Sequence, residues 1–127
     1  MIKIFNGTPH SINIVAKSEY KETIRKFVVP EGKDAEIVAS IPTNSILSAK
    51  INTVDKKPIN GIPVFGKEIS GCDKLPEGYD IYIVSALYVS AARASGMDTS
   101  KLYTIADPVY SPDGKTILGC RGICPAF

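Results

Sequence analysis

Apolar and polar positions alternate through Ile2 and Ile4 and again through Ile12 and Ile14, with Asn6-Gly7-Thr8-Pro9 between the two runs. A period of two marks a strand with one buried face, so the chain is expected to open on a β-hairpin. A β-branched and aromatic run from Thr23 to Val29 stops at Pro30-Glu31-Gly32, and a second, Ala35 to Ile41, stops at Pro42; both predict strands. Between Ile46 and Val54, the positions Ile46, Ser48, Lys50 and Asn52 fall against Leu47, Ala49, Ile51 and Thr53, which predicts a half-buried strand. Ile62 to Ile69 and Ile81 to Val84 predict two more, separated by an exposed loop about Cys72 to Gly78.

The period then changes. Ser85 is placed to cap a helix through residues 86–95, and Gly96 to end it. Leu87, Ala91 and Ala94 share one side of that helix, where alanines allow a close approach to a sheet. Leu102 to Ala106 and Thr116 to Arg121 predict a closing hairpin about Ser111-Pro112-Asp113-Gly114, with proline for the turn and glycine for a positive φ. Strands on both sides of one helix, without repeated strand-helix alternation, predict an α+β domain: a mainly antiparallel β-sheet with one principal helix packed on it. A length of 127 residues sets the expectation of a single domain over 1–127.

Composition narrows the function classes. Fifteen basic against thirteen acidic side chains give a formal charge of +2, too balanced for a binder of DNA or RNA polymer or of a membrane surface. Any anionic ligand is therefore expected to be small. The start has one lysine and then a polar break, unlike an export signal, and no run reaches the roughly 20 apolar residues of a membrane span, so the expected location is cytoplasmic. Cys72, Cys120 and Cys124 are odd in number, which fits reduced thiols better than a disulfide framework. The three-residue gap between Cys120 and Cys124 is not the spacing of a zinc or redox knuckle, so no metal is expected. Phosphate loops, dinucleotide fingerprints and metalloprotease motifs are absent from the sequence, and no cofactor is expected.

Several residues have the right chemistry to hold a ligand. His10 is the only histidine and follows the stiff Thr8-Pro9 dipeptide, although no acidic residue stands near it to orient it as a base. Ser85 stands at a strand-helix junction, where unpaired N–H groups favour a phosphate or carboxylate; its neighbours Val84 and Ala86 are not the glycines of a hydrolase elbow. Arg121 lies among small residues, Gly119-Cys120 and Gly122, and a guanidinium grips phosphate well. Arg93 on the helix reads as solvent-facing or as a subunit contact. Tyr79, Tyr82, Tyr88, Tyr103 and Tyr110 offer flat faces for a base or for the core, with Tyr82 and Tyr88 nearest the helix junction.

Phe5-Asn6-Gly7-Thr8-Pro9-His10, Tyr82-Ile83-Val84-Ser85 and Gly119-Cys120-Arg121 together resemble a family of small phage and prophage proteins with a Thr-Pro-His turn, a Tyr-x-Val-Ser helix start and a C-terminal Gly-Cys-Arg. The resemblance implies a phage anti-defence (anti-CBASS) sponge, an oligomeric protein that binds and withholds a cyclic nucleotide immune signal without cleaving it. On that reading Thr8, His10, Ser85, Arg93, Arg121, Tyr82 and Tyr88 are the candidate ligand contacts, and the partner copies form a homo-oligomer. A small hydrolase or thiol enzyme using His10 or Cys120, and an adaptor of a phage or host complex, are the alternatives.

Overall fold

The computed structural model describes residues 1–127. Ten strands and one helix follow in order: β1 (Ile4–Asn6), β2 (Ile12–Ala16), β3 (Glu19–Lys21), β4 (Lys26–Val28), β5 (Glu36–Ile41), β6 (Ala49–Ile59), β7 (Ile62–Cys72), β8 (Ile81–Ile83), α1 (Ala86–Ala94), β9 (Leu102–Tyr110) and β10 (Ile117–Pro125). The main sheet runs β1-β8-β9-β10-β2-β5, with β4 on the free stretch of β9 and β3 on β4; β6 and β7 form a ribbon of their own.

The α+β class holds, but the sheet is mixed and partly barrel-like. Strands β1 and β8, β8 and β9, β4 and β9, and β10 and β2 all pair in parallel. The predicted opening hairpin is the first correction. Both strands form, yet β1 pairs with β8, while β2 pairs with β5 and β10. The intervening turn does not close them on each other, because its backbone is engaged elsewhere: Gly7 donates to the Ile83 carbonyl at 2.8 Å, and the Gly7 carbonyl accepts from Leu47 at 2.9 Å. Leu47 lies so close that a Cβ on Gly7 would stand 2.9 Å from its side chain. The closing hairpin of β9 and β10 forms as predicted and runs longer, turning at Ser111–Gly114 with Gly114 at φ +75°. Strand β3 has no sequence counterpart above.

Helix α1 begins on Ser85, whose hydroxyl accepts from the Tyr88 N–H, and ends before Gly96 at φ +74°. Its buried residues are Tyr88, Val89, Ala91 and Ala92, while Leu87 and Ala94 face out, so the packing face lies about one position round from the expected one. Under it sits the largest core cluster, with Phe5, Leu47, Tyr82, Val84 and Leu102. The opposite face of the sheet buries Ile12, Ile83 and Cys120, and a third cluster gathers Val15, Val29 and Val109. The alternation of β1 explains the division: Phe5 pairs with Tyr82 toward the helix, and Asn6 pairs with Ile83 on the other face.

Asn6 is the one fully buried polar side chain of the core. Its Nδ2 donates to the carbonyls of His10 and Ile41, each at 3.0 Å, and its Oδ1 accepts from the Thr8 N–H at 2.9 Å and the Thr8 hydroxyl at 2.6 Å. The expected half-buried strand over Ile46 to Val54 is corrected: Leu47 is buried ahead of β6, and β6 itself is exposed along most of its length, because the ribbon meets the rest of the fold mainly at α1. The loop from Cys72 to Gly78 is half buried through much of its length, since the hydroxyls of Tyr82 and Tyr88 donate to its Pro76 and Asp73 carbonyls. No helix is long and apolar enough to cross a membrane.

Replacing Asn6→Ala removes the donors to the His10 and Ile41 carbonyls and the acceptor of the Thr8 N–H and hydroxyl; because these partners are only partly buried, it is expected to cost about 1–2 kcal/mol in urea unfolding. Ser40→Ala, which removes an exposed hydrogen bond to Asn13, is the matching control and is expected to change stability by less than about 0.5 kcal/mol.

Candidate functional site

Strands β1 and β8 are parallel, so their carboxyl ends open on the same side of the sheet, the usual place for a ligand crevice in parallel sheets. The turn Gly7–His10 leaves the end of β1 and the start of α1 leaves the end of β8. A cleft of about 740 Å³ lies between them, lined by fifteen residues. Thr8, Pro9, His10 and Ser11 form one wall and Val84, Ser85 and Ala86 another. Thr104 and Ile105 of β9, Ile117 to Cys120 of β10, and Ile12 and Asn13 of β2 form the floor. The volume is in the range of small-ligand sites. A second recess, of about 180 Å³ at Lys17, Pro30 and Glu36, is much smaller.

The floor is possible because of Gly119. A Cβ there would collide with the Asn13 carbonyl oxygen and stand 2.8 Å from Val15, so only glycine lets β10 meet β2. Pairing between those strands is brief, with Cys120 opposite Ile14, and the register of β10 against β9 slips between Ile117 and Gly119. The sheet opens at that slip, and Ile105 and Ile117 are left exposed in the cleft.

The polar groups of the cleft have a definite donor and acceptor order. The Ser85 hydroxyl oxygen already accepts from Tyr88 at 3.1 Å, so its own hydrogen is free to donate outward. The N–H groups of Ala86 and Leu87 have no partner in the chain, as expected for a first helical turn. The Thr8 hydroxyl lies within reach of Asn6 Oδ1 and the His10 carbonyl, so its hydrogen is held by the turn and the group can only accept from a ligand. Asn6, which fixes this turn, was not among the sequence candidates. The Asn-Gly-Thr-Pro-His stretch signals a turn, but nothing in it signals that the asparagine points inward. The lining contains no lysine, arginine, aspartate or glutamate. His10 is its one ionisable base, and no carboxylate in the cleft orients it.

Four sequence candidates stand elsewhere, and each for a visible reason. Arg121 follows Cys120 on β10 and so points to the other side of the sheet; its guanidinium meets Asp107 at 2.9 Å and lies 4.3 Å over the Phe27 ring. One chain therefore does not bring Arg121 to His10. Arg93 is directed to the C-terminal segment and donates to the Ala126 carbonyl. Tyr82 and Tyr88 are 4% and 0% exposed, so neither ring face is open to a ligand.

Cys120 does line the cleft, but it is 3% exposed and donates its S–H toward the Gly122 carbonyl at 3.4 Å. Burial pushes its thiol up from the ordinary cysteine value. At neutral pH it is an S–H group, the opposite of the thiolate a nucleophile needs. Burial, and next the adjacent Cys72, likewise raise the Tyr88 phenol well above its usual value.

No family model, no curated protein and no solved structure matches this chain.

In the native protein an aromatic disulfide reagent is expected to modify the exposed Cys124 first, the half-buried Cys72 next, and Cys120 only as the chain unfolds; a variant with both Cys72→Ser and Cys124→Ser isolates the Cys120 phase. The raised Tyr88 pKa means the fold holds the neutral phenol. Its stabilising effect is full below about pH 10, the ordinary phenol value, and declines as pH rises above it. Urea unfolding across the alkaline range is expected to show that decline, with a shallower slope for Tyr88→Phe.

Proposed function

We propose that this chain is a non-catalytic binding protein that holds a small cyclic nucleotide in the cleft between the Thr8–His10 turn and the start of α1, and so withholds it as a phage anti-defence sponge does. The observation that carries the reading is the mixed lining of the cleft, neutral polar groups together with exposed apolar side chains. Ser85, the free N–H of Ala86 and His10 supply the polar groups of the lining, and Ile105 and Ile117 its exposed apolar side chains. A helix start favours an anion and the apolar floor favours the flat face of a base. Because the lining has no fixed cation, a ligand presenting one phosphodiester to the helix start suits it better than one that needs several guanidinium contacts. The resemblance of the Thr-Pro-His, Tyr-x-Val-Ser and Gly-Cys-Arg segments to phage proteins supports the same reading. The raised Cys120 thiol and the absence of a carboxylate beside His10 support binding over turnover.

A thermal-shift screen against cyclic di- and trinucleotides and cyclic ADP-ribose isomers is expected to find one that raises the melting temperature and is recovered intact after heat release. His10→Ala is expected to weaken that ligand roughly tenfold, the effect of losing one hydrogen bond to a charged group. Ile117→Glu places a carboxylate on an exposed part of the lining and is expected to weaken it at least as much while leaving the unliganded melting temperature unchanged. Recovery of cleaved nucleotide would point to a hydrolase instead, and a flat response across the panel would end the nucleotide reading.

A further inference from the structure

Of the five asparagines in the chain, Asn6 and Asn60 alone are followed by glycine. An Asn-Gly pair carries a latent reaction, because a glycine nitrogen, unhindered by a side chain, can attack the asparagine Cγ and close a cyclic imide. The fold treats the two pairs in opposite ways.

At Asn6 every group the reaction needs is engaged. The side chain is fully buried, its Nδ2 donates to two carbonyls and its Oδ1 accepts from the N–H and hydroxyl of Thr8. The nucleophile is held as well, since the Gly7 N–H donates to the Ile83 carbonyl at 2.8 Å. Ring closure there would break all of these bonds together, so it waits on an opening of the segment around the end of β1.

At Asn60 nothing is engaged. With Gly61 it forms the tip of the β6–β7 ribbon, a two-residue turn between the paired Ile59 and Ile62, and both turn residues are exposed. Asn60 at φ +50° and Gly61 at φ +75° are both left-handed, as a tight hairpin turn requires. The Gly61 N–H has no hydrogen-bond partner in the chain. The one side-chain hydrogen bond within the ribbon, from Ser70 to the Lys50 carbonyl, lies at its other end. Closing the ring requires rotation about ψ of Asn60, and that rotation has room: a Cβ built on Gly61 has no atom within 4 Å. A hairpin tip with so few contacts opens at little cost.

We propose that Asn60 is a site of spontaneous covalent modification, and that the buried network of Asn6 shields the chain's other Asn-Gly pair from the same reaction. The Gly61 amide gives its proton to solvent base and its nitrogen bonds to the Asn60 Cγ, while the side-chain nitrogen takes up a proton and leaves as ammonia. Water then adds to either carbonyl of the imide and opens it. One opening gives aspartate; the other gives isoaspartate, whose main chain runs through the side-chain methylene. Either product places a carboxylate in the turn. Isoaspartate also lengthens the main chain between Ile59 and Ile62, and a two-residue turn sets the register of its strands, so the pairing at the tip must shift. This assignment does not depend on what the cleft binds.

Incubation of the full chain at mildly alkaline pH, followed by tryptic digestion and mass spectrometry, tests it. The two pairs fall in separate peptides, Ile4–Lys17 and Lys57–Lys67. The second is expected to show the mass change of an amide becoming an acid, as two separable isomers. Asn60 is expected to convert at least roughly a hundredfold faster than Asn6, because Asn6 reacts only from an opened state. In urea, where neither segment is held, the two rates are expected to agree within about threefold. Asn60→Gln, whose imide is a larger ring that closes far more slowly, is expected to keep its mass. Amide exchange over residues 59–62 is expected to quicken as isoaspartate accumulates. Equal rates at the two asparagines in the native protein, an Asn60 that converts in urea but not in the native protein, or a single aspartate product would each overturn the assignment.

Discussion

The buried carboxamide of Asn6 holds together segments that are distant in the chain. It satisfies both of its N–H donors on the carbonyls of His10 and Ile41 and loads its oxygen with the N–H and hydroxyl of Thr8. Its own backbone N–H donates to Asn44 Oδ1, and its carbonyl accepts from Asn44 N–H. No other side chain fits this pattern. Aspartate would turn an oxygen toward two carbonyl oxygens, glutamine is a methylene too long, and leucine would leave the carbonyls unpaired. Because a buried polar group must find every partner or lose stability, the network has one arrangement, and that arrangement sets where the end of β1, the end of β5 and the Thr8–His10 turn lie.

From that fixed turn the cleft follows by topology. Parallel pairing of β1 with β8 brings the ends of both strands to one side, and the crossover through α1 carries the chain back to β9 beside β8. The start of the helix is thus held opposite the turn without any direct bond between their side chains. Gly119 then lets β10 close on β2 at one point, while the slip from Ile117 to Gly119 keeps the sheet open above it. The wall positions come from hydrogen bonding and the depth from a glycine. Neither depends on a charged side chain, which is why the lining is neutral.

What was legible in the sequence was what local chemistry decides. Ser85 and Gly96 bracket α1 because a hydroxyl cap and a residue free to take positive φ act within one turn. The Ser111–Gly114 turn is equally local: the Ser111 hydroxyl and then the Lys115 N–H bind the Asp113 carboxylate and hold it below the usual carboxylate range. Strand pairing was not legible. Ile2, Ile4, Ile12 and Ile14 alternate as a hairpin would, but alternation reports which face is buried and not which strand lies alongside. The four parallel pairings join segments that no short-range signal connects. The site candidates divide in the same way. Thr8, His10 and Ser85 sit on elements whose local form was readable, and all three line the cleft. Arg121 was chosen for its small neighbours, yet its direction was decided by the parity of β10, on which Cys120 takes the inner side.

That parity has a chemical consequence. A half-exposed guanidinium paired with Asp107 and stacked on Phe27 links β10 and β9 to β4 on the face away from the cleft. The cleft keeps the weaker, directional donors of a helix start. Such donors grip an anion through geometry and stay hydrated while the cleft is empty, whereas an arginine there would have to shed its water when a ligand closed over it. The lining of the cleft is therefore neutral, and its polar groups are ones that water satisfies when the cleft is empty. Those are the properties that the proposed binding role asks of the cleft.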